Sequence, residues 1–298
     1  MVKERGDTAQ QIADLLRAAK GSLGLSLAFL SRMDGLTQHL EVVESASPAP
    51  LSDGATQPQE TSFCQAVMDG RLPSVIPDVE EFPDAMRLPG AQMGVRSFVS
   101  VPVLLSDGSV YGSFCAAGFT AEKELTDRDR ALMEVLAHAA AMLLEPDVRK
   151  RRRNAEIGGR LQPLIDDGGP VVLLQPIVDL ATGHRVGSEA LSRFPQQWNQ
   201  PPDVVFAEAE AIGQREHLEI LALRQAAAHL PHVSGYVAMN VSARTLATPA
   251  CLDLLGHLPL DRVVLEPGDA HTRDRYQAPP APPAPPRGPG HRRGVDAG

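Results

Sequence analysis

Residues 97–118 read SFVSVPVLLSDGSVYGSFCAAG, and this stretch decides the fold of the first half of the chain. Valines occupy every second position over 99–103, a period of two that is typical of a strand with one buried face. Asp107-Gly108 then favours a tight turn, and the apolar run over 110–117 returns as a second strand. We therefore predict an antiparallel hairpin in this half.

Patterns on both sides of this hairpin predict further helices and strands. In chain order these are a helix over 8–20 closed by Gly21, strands over 25–30 and 38–43, a helix over 62–68 and a helix that Thr126 caps. Asp34-Gly35 joins the two early strands as a second hairpin turn. Helices that alternate with hairpins predict an α+β domain, an antiparallel sheet flanked by helices.

Three stretches resemble parts of one family of sensory domains. Residues 62–79 (SFCQAVMDGRLPSVIPDV), 100–118 and 125–140 (LTDRDRALMEVLAHAA) resemble the loop and helix, the second hairpin and the last helix of a GAF domain. The resemblance covers about residues 8–145. It implies a pocket under the sheet for a small molecule or cofactor of unknown identity, and a homodimer formed through flanking helices.

Cysteines provide the candidate residues of this sensor pocket. Cys64 and Cys115 could hold a bilin or sense oxidants, and the alternative is that they are small buried core residues. His138 on the last helix is interpreted as a surface or interface residue, not as a haem ligand. With Cys251 the chain has three scattered cysteines, which predict neither a disulfide framework nor a zinc site.

Composition limits the classes of partner. The chain has 298 residues, enough for two domains, and a net charge of -9, which gives no reason to expect nucleic-acid or anionic-membrane binding. The basic run over 149–153 is interpreted as the solvated face of a linker. No apolar run approaches the roughly 20 residues that span a bilayer, and no signal-peptide core follows the N-terminus. We therefore expect a soluble cytoplasmic protein.

The second half alternates strands with helices. Strands are predicted over 170–178, 186–191, 236–241 and 262–265, with helices over 203–230 and 250–258. Such alternation indicates a parallel α/β sheet or barrel. Pro146 is predicted to end the last helix of the first half. The predicted domains are a sensor over 1–146, a linker helix over 147–168, the α/β part over 169–266 and a Pro-rich disordered tail over 267–298.

An ordered set of motifs in this half resembles the N-terminal half of an EAL-type cyclic-di-GMP phosphodiesterase. The set begins with LLQPIVDLATGHRVGSEALSRF over 173–194 and continues through residues 203–226, YVAMNVSARTL over 236–246 and VVLE over 263–266. The resemblance implies a TIM-like barrel that hydrolyses cyclic-di-GMP to pGpG with two divalent cations, Mg²⁺ or Mn²⁺. It also makes cyclic-di-GMP the expected partner of this part.

Four residues are candidates for that chemistry. Glu189, Asn240 and Glu266 are expected near the carboxyl ends of successive strands, the face that carries the active site in such barrels. Each offers the hard oxygen that Mg²⁺ or Mn²⁺ prefers. The resemblance assigns Arg193 to a substrate phosphate, which its guanidinium fork suits. A surface charge or salt bridge is the alternative role for Glu189.

The sequence departs from the family after Glu266. Pro267-Gly268 and the Pro-rich tail stand where the family has a helix, and the later paired aspartates, general-base lysine and metal-ligating glutamate have no matched motif. A translated alternative reading frame is one hypothesis for the tail. We therefore predict a truncated, catalytically incomplete barrel, and the rival hypothesis is a non-catalytic sensor that acts by binding. The barrel residues predicted to lack a partner layer are Val171, Leu173, Ile177, Val237 and Met239.

Overall fold

The computed structural model describes residues 6–45 and 51–268. Contacts divide the chain into two compact units, with the division between Arg153 and Asn154. The predicted disorder of the Pro-rich tail falls on residues outside the described ranges, apart from its first two positions. Over the described ranges, no helix combines the length and apolar character needed to cross a membrane.

The N-terminal unit is an antiparallel sheet flanked by helices, as predicted. Its elements are α1 (Asp7–Leu23), β1 (Leu27–Met33), β2 (Thr37–Ser45), β3 (Thr56–Pro58), α2 (Phe63–Met68), β4 (Val75–Ile76), α3 (Pro83–Met86), α4 (Pro89–Gln92), β5 (Ser97–Leu104), β6 (Val110–Gly118) and the first part of α5 (Asp127–Asp166). The strands form one six-stranded sheet in the order β3-β2-β1-β6-β5-β4, and all neighbours are antiparallel.

This sheet buries a core on each face. Helices α1 and α5 cover one face, and their apolar residues pack on Leu30, Val101 and Phe114. Helix α2 and the segments around it cover the other face, where the rings of Phe63 and Phe98 pack at a tilt of 42° with centroids 5.0 Å apart. We call these the α1–α5 face and the α2 face. Because both faces are covered, the strands read as long apolar runs.

Local signals explain most of the element boundaries. Asp34 begins the predicted β1–β2 turn, where its Oδ1 accepts the backbone N–H of Leu36 at 3.1 Å and of Thr37 at 2.7 Å. The predicted cap of α1 at Gly21 is wrong. The helix continues to Leu23 and ends at Gly24, whose φ of 67° is the left-handed conformation that glycine adopts at low cost.

The predicted end of the last sensor helix at Pro146 is also wrong. Helix α5 continues through Pro146 to Asp166, although a proline inside a helix forfeits one backbone hydrogen bond. Leu144 and Val148 are both buried, one on either side of the proline. The packing of these two residues offsets the lost hydrogen bond. The sequence pattern alone does not reveal this packing.

The C-terminal unit is a sheet covered by helices. Its elements are the end of α5, β7 (Val171–Val178), β8 (Arg185–Arg193), α6 (Pro202–Ala211), α7 (Arg215–Ala227), β9 (Tyr236–Val241), α8 (Ala243–Leu246), α9 (Pro249–Gly256) and β10 (Val263–Pro267). The four described strands have the order β10-β9-β8-β7. Strands β8, β9 and β10 are parallel, as predicted.

The first strand of this sheet corrects the expectation of an all-parallel arrangement. Strand β7 runs antiparallel to β8. The connection between them is the short turn over 179–184, in which Gly183 donates its N–H to the carbonyl of Asp179 at 2.8 Å. A connection this short permits only an antiparallel pair, because a parallel pair needs a crossover of a dozen or more residues.

Two further predictions for this unit are corrected. The single helix predicted over 203–230 is two helices, α6 and α7, separated at Gly213, which has a φ of 72°. Val237 and Met239, which are predicted to lack a partner layer, are instead buried against the helical layer, in the same cluster as Leu223 and Cys251. They face the helices because their side chains lie on the other side of the sheet from Ala238 and Asn240.

Candidate functional site

A row of polar side chains, all buried except the half-buried Gln57, crosses the α2 face of the N-terminal sheet. The row takes one residue from each of five neighbouring strands, in the order Gln57, Gln38, Ser31, Ser113 and Ser100. Gln57 Nε2 donates to Gln38 Oε1 at 2.6 Å, and Gln38 Nε2 donates to Ser31 Oγ at 2.8 Å. Ser31 Oγ and Ser113 Oγ lie 2.8 Å apart. The row therefore satisfies its hydrogen bonds internally within an apolar face.

Cys64 and Cys115 meet at the end of this row. Their sulfur atoms lie 3.1 Å apart, and both residues are fully buried. Cys115 Sγ also lies 3.2 Å from Ser100 Oγ and 3.2 Å from Ser113 Oγ. Strand β6 positions Cys115, and α2, which Ser62 caps by accepting the N–H of Gln65, positions Cys64. The structure thus brings together the two cysteines that the sequence singles out.

The two thiols differ in acidity. Burial raises the pKa of Cys64, but hydrogen bonds from Cys115, Ser113, Gln38 and Ser100 outweigh burial and bring the pKa below its usual range. Burial and the neighbouring Cys64 raise the pKa of Cys115 well above its usual range. Cys64 is therefore the more acidic thiol, and the thiolate is the nucleophilic form of cysteine.

A cavity of about 480 Å³ opens on the α1–α5 face of the same unit. Its lining combines apolar side chains with acidic and basic groups, namely Asp7, Glu41, Asp147, Lys150 and Arg151. The Tyr111 hydroxyl donates a hydrogen bond to Glu41, and burial together with this carboxylate raises the tyrosine pKa above its usual range. Packed side chains fill the α2 face, which is the side with the cysteines.

In the C-terminal unit, the three predicted metal-binding residues lie on one sheet face. Glu189 pairs with Ala238, and Asn240, two residues further along β9, pairs with Glu266 on β10. Because paired residues share a face and side chains alternate with a period of two, all three point to the same side. Asn240 Nδ2 lies 3.5 Å from Glu189 Oε1.

Their placement along the strands differs in part from the prediction. Asn240 and Glu266 stand next to last in their strands, whereas Glu189 lies at the centre of β8, which continues to Arg193. Arg193 is exposed, and its Nη1 donates to the carbonyl of Ser192 at 2.9 Å. Nowhere in residues 6–45 or 51–268 do three or more His, Cys, Asp or Glu side chains form a group that could hold a metal ion.

A buried carboxylate supports the turn that follows Asn240. Glu219 of α7 accepts the N–H of Ser242 at 3.2 Å and its hydroxyl at 2.7 Å. Its other oxygen pairs with Arg215 Nε at 2.8 Å. Ser242 comes two residues after Asn240, so Glu219 holds the end of β9 in place.

The sequence patterns missed Glu219 and the polar row. A charged residue inside the apolar run of α7 is one available signal, because Glu is almost never buried without a partner. Serines at buried positions of β1, β5 and β6 are a second signal. Only the strand order shows that those serines are neighbours.

Comparisons with known proteins assign the N-terminal unit to a family. Residues 6–144 match the GAF domain family, so this part of the chain is a GAF domain. Over 129 residues the chain is 32% identical to the probable cyclic di-GMP phosphodiesterase PdeB of Escherichia coli strain K12, a match that covers 41% of this chain and 24% of that protein. The chain thus spans about a quarter of that curated relative.

Some solved structures are distantly similar to this chain. A chromophore-binding domain of Stigmatella aurantiaca phytochrome P1 has a TM-score of 0.38 at 16% identity, covering 47% of this chain and 55% of that chain. The Thermosynechococcus elongatus PixJ GAF domain has a TM-score of 0.39 at 12% identity, covering 50% and 92%. A GAF domain of an Acinetobacter phosphoenolpyruvate-protein phosphotransferase has a TM-score of 0.37 at 13% identity, covering 47% and 91%.

Proposed function

We propose that this chain is a cytoplasmic signalling protein in which a GAF domain senses a small molecule and an EAL-type unit binds cyclic-di-GMP without hydrolysing it. The observation that carries the proposal is the shared sheet face of Glu189, Asn240 and Glu266, three residues that the motif order matches to a metal site. The 32% identity to a probable cyclic-di-GMP phosphodiesterase supports the same lineage.

The chemistry of the donors fits one divalent cation. Two carboxylates and one amide oxygen are hard ligands, which suit Mg²⁺ or Mn²⁺ better than softer metals. Glu189, Asn240 and Glu266 would hold this ion, and the exposed guanidinium of Arg193 would bind a phosphate oxygen of the nucleotide. A bound cation neutralises negative charge on the phosphate and lowers the pKa of a bound water.

Hydrolysis in the phosphodiesterase family that these motifs resemble requires a second cation and a general base. For this reason we propose binding without hydrolysis. Residues 267–298 contain no matched motif for either requirement. The described residues likewise supply no group of three or more acidic, histidine or cysteine ligands. One cation with three protein donors supports binding of the nucleotide, and the proposal assigns no described residue to take the proton from water.

Hydrolysis and binding are tested separately on the purified chain. With cyclic-di-GMP and Mn²⁺, we expect no pGpG above the protein-free control by chromatography. In equilibrium dialysis with the same nucleotide and Mn²⁺, we expect saturable binding that Glu189→Ala and Arg193→Ala each weaken about tenfold or more. Glu216→Ala, an exposed glutamate on α7, is the matched control and should bind like the unaltered chain.

Each outcome decides one part of the proposal. Formation of pGpG at a rate that Glu189→Ala abolishes would show that the site is catalytically complete. Absence of binding, with both units folded, would remove the cyclic-di-GMP assignment and leave the alternative of a sensor that acts through its GAF domain alone. A thermal-shift screen of small metabolites and cofactors is the corresponding test for the GAF ligand.

A further inference from the structure

We propose that Cys64 and Cys115 are a peroxide-oxidisable pair that closes into a disulfide inside the GAF domain. Their sulfur atoms lie 3.1 Å apart although the residues are 51 positions apart in the chain. A disulfide has an S–S length of about 2.05 Å, so the sulfurs need to approach by only about 1 Å. Cys251, the other cysteine, belongs to the C-terminal unit.

The surroundings of the pair give the two thiols different roles. Ser100 Oγ lies 3.2 Å from Cys115 Sγ, and the Cys115 thiol donates to Ser113 Oγ at 3.2 Å. The Cys115 thiol lies 3.1 Å from Cys64 Sγ, and hydrogen bonds that outweigh burial lower the pKa of Cys64, which favours Cys64 as the attacking residue. Cys115, with its raised pKa, is then the thiol that resolves the intermediate.

The reaction balances with hydrogen peroxide as the oxidant. The Cys64 thiolate attacks one peroxide oxygen and the O–O bond breaks, which leaves a sulfenic acid on Cys64 and, after proton uptake, one water. The Cys115 sulfur then attacks the sulfenic sulfur, and the hydroxyl leaves as a second water with the thiol proton. Two thiols and one peroxide become one disulfide and two waters. A small dithiol such as dithiothreitol reverses the reaction by thiol–disulfide exchange.

Oxidation would join α2 to the centre of the sheet. Cys64 is the second residue of α2, and Cys115 lies in β6 opposite Ser100. Both sulfurs are buried, so the oxidant must be of about the size of water and enter as α2 moves locally. Helix α2 has only six residues, and short elements of this kind open more easily than a core strand. The bond would then fix this helix on the sheet.

Mass spectrometry of the full chain tests the pair directly. The reduced protein is treated with hydrogen peroxide, then unfolded and alkylated. Before alkylation we expect a mass loss of about 2 Da, the two hydrogen atoms removed; after alkylation we expect Cys251 alkylated and Cys64 and Cys115 joined in one cross-linked peptide. Dithiothreitol should restore three alkylatable thiols. The readout is independent of cyclic-di-GMP, so its failure is distinguishable from failure of the proposed function.

Variants separate a redox pair from two core thiols. Cys115→Ser leaves the sulfenic acid of Cys64 without a partner, so dimedone should label Cys64 in this variant. Cys64→Ser should give no dimedone adduct at Cys115, and Cys251→Ser should oxidise like the unaltered chain. Retention of three free thiols by the folded, unaltered protein at excess peroxide would overturn the proposal. The proposal would also be overturned if dimedone labelled Cys64, Cys115 and Cys251 to the same extent across the single-cysteine variants.

Discussion

Gly112 lies where β6 approaches the backbone of β1. A Cβ atom at this position would stand 1.9 Å from the carbonyl oxygen of Ser31, which is backbone and cannot rotate away. We expect Gly112→Ala to lower the free energy of unfolding of the N-terminal unit by about 3 kcal/mol, as for other overpacked sites.

Gly21→Ala is the matched control for this substitution. Gly21 is an exposed residue inside α1, and a Cβ there meets nothing within 4 Å. Because alanine is the better helix former, this change should stabilise the unit by about 0.5–1 kcal/mol. Opposite shifts of the thermal transition are the expected result by circular dichroism. Shifts of the same sign would contradict the close approach of the two strands.

Glu219 is the second residue whose substitution we expect to destabilise the fold, because of its buried environment. Its carboxylate is buried and holds both Ser242 and Arg215. Glu219→Ala leaves these groups without their partner, and we expect it to destabilise the C-terminal unit by about 2–3 kcal/mol. Glu216→Ala, on the exposed side of α7, should change the stability by less than about 0.5 kcal/mol.

Trp198 provides the measurement for Glu219. It is the one tryptophan of the chain and lies in the C-terminal unit, where its ring stacks on Phe194 at 5.9 Å. Urea unfolding followed by tryptophan fluorescence therefore reports on this unit. Equal unfolding midpoints for the two alanine variants would show that the buried carboxylate is not the support of the turn.

At the scale of elements, the turn between β1 and β2 predicts a pH dependence. The backbone N–H of Thr37, the His39 side chain and the N–H of Leu36 hold the pKa of Asp34 below its usual range. The ionised carboxylate therefore stabilises the fold above about pH 4, the usual carboxyl pKa, and this stability is lost as the pH falls through the lower folded-state pKa.

The expected result is a pH-dependent cost for Asp34→Ala. Thermal melting should show the variant less stable than the unaltered chain near pH 7, with the difference shrinking as the pH falls below about 4. Asp84→Ala is the control, because Asp84 makes only an exposed ion pair with Arg87 at 3.3 Å, a contact of little energetic value. A constant difference across this pH range would exclude the turn carboxylate as its source.

Helix α5 carries an apolar stripe that predicts a dimer. It includes Val135 and Met142, which are 67% and 65% exposed. They are seven residues apart, so they lie on one side of the helix. We propose that this stripe packs against a second copy of the chain. Val135→Glu together with Met142→Glu should then give a monomeric mass by light scattering where the unaltered chain is dimeric.

A control substitution distinguishes the stripe from general surface effects. Leu36 is 83% exposed at the β1–β2 turn, well separated from α5 in the chain. Leu36→Glu should leave the mass unchanged. A monomeric unaltered chain at high protein concentration would refute the dimer.

At the scale of the whole molecule, the boundary of the N-terminal unit predicts which fragment is stable. A fragment ending at Glu145 contains every strand of the sheet and is expected to fold. It lacks Val148, which is buried in the core of the α1–α5 face, and Arg152, whose Nη1 lies 2.6 Å from Asp107 Oδ2. We therefore expect the fragment 1–153 to melt several degrees higher than 1–145, since burial of one valine contributes about 1.5 kcal/mol or more. Equal melting temperatures would place the boundary before Pro146.

Much of the N-terminal unit follows from local pattern. Alternating valines and the two Asp-Gly turns predict the hairpins, which the structure confirms. The extent of α5 could not be predicted in the same way, because the cost of a proline is local and the packing of Val148 that offsets it is not. The antiparallel direction of β7 does not follow from the alternation of strands and helices, because that pattern does not mark the turn over 179–184 as a hairpin connection.

Sequence by itself determined the element types, the GAF family of residues 6–144 and the identity of the candidate residues. These depend on periodicity, turn chemistry and motif order, which are properties of neighbours along the chain. Only the tertiary structure placed Cys64 against Cys115, joined the polar row across five strands and set Glu189 beside Asn240. Those contacts link residues from 7 to 82 positions apart in the chain. Strand order and helix docking decide them, and both arise from burial over the whole unit.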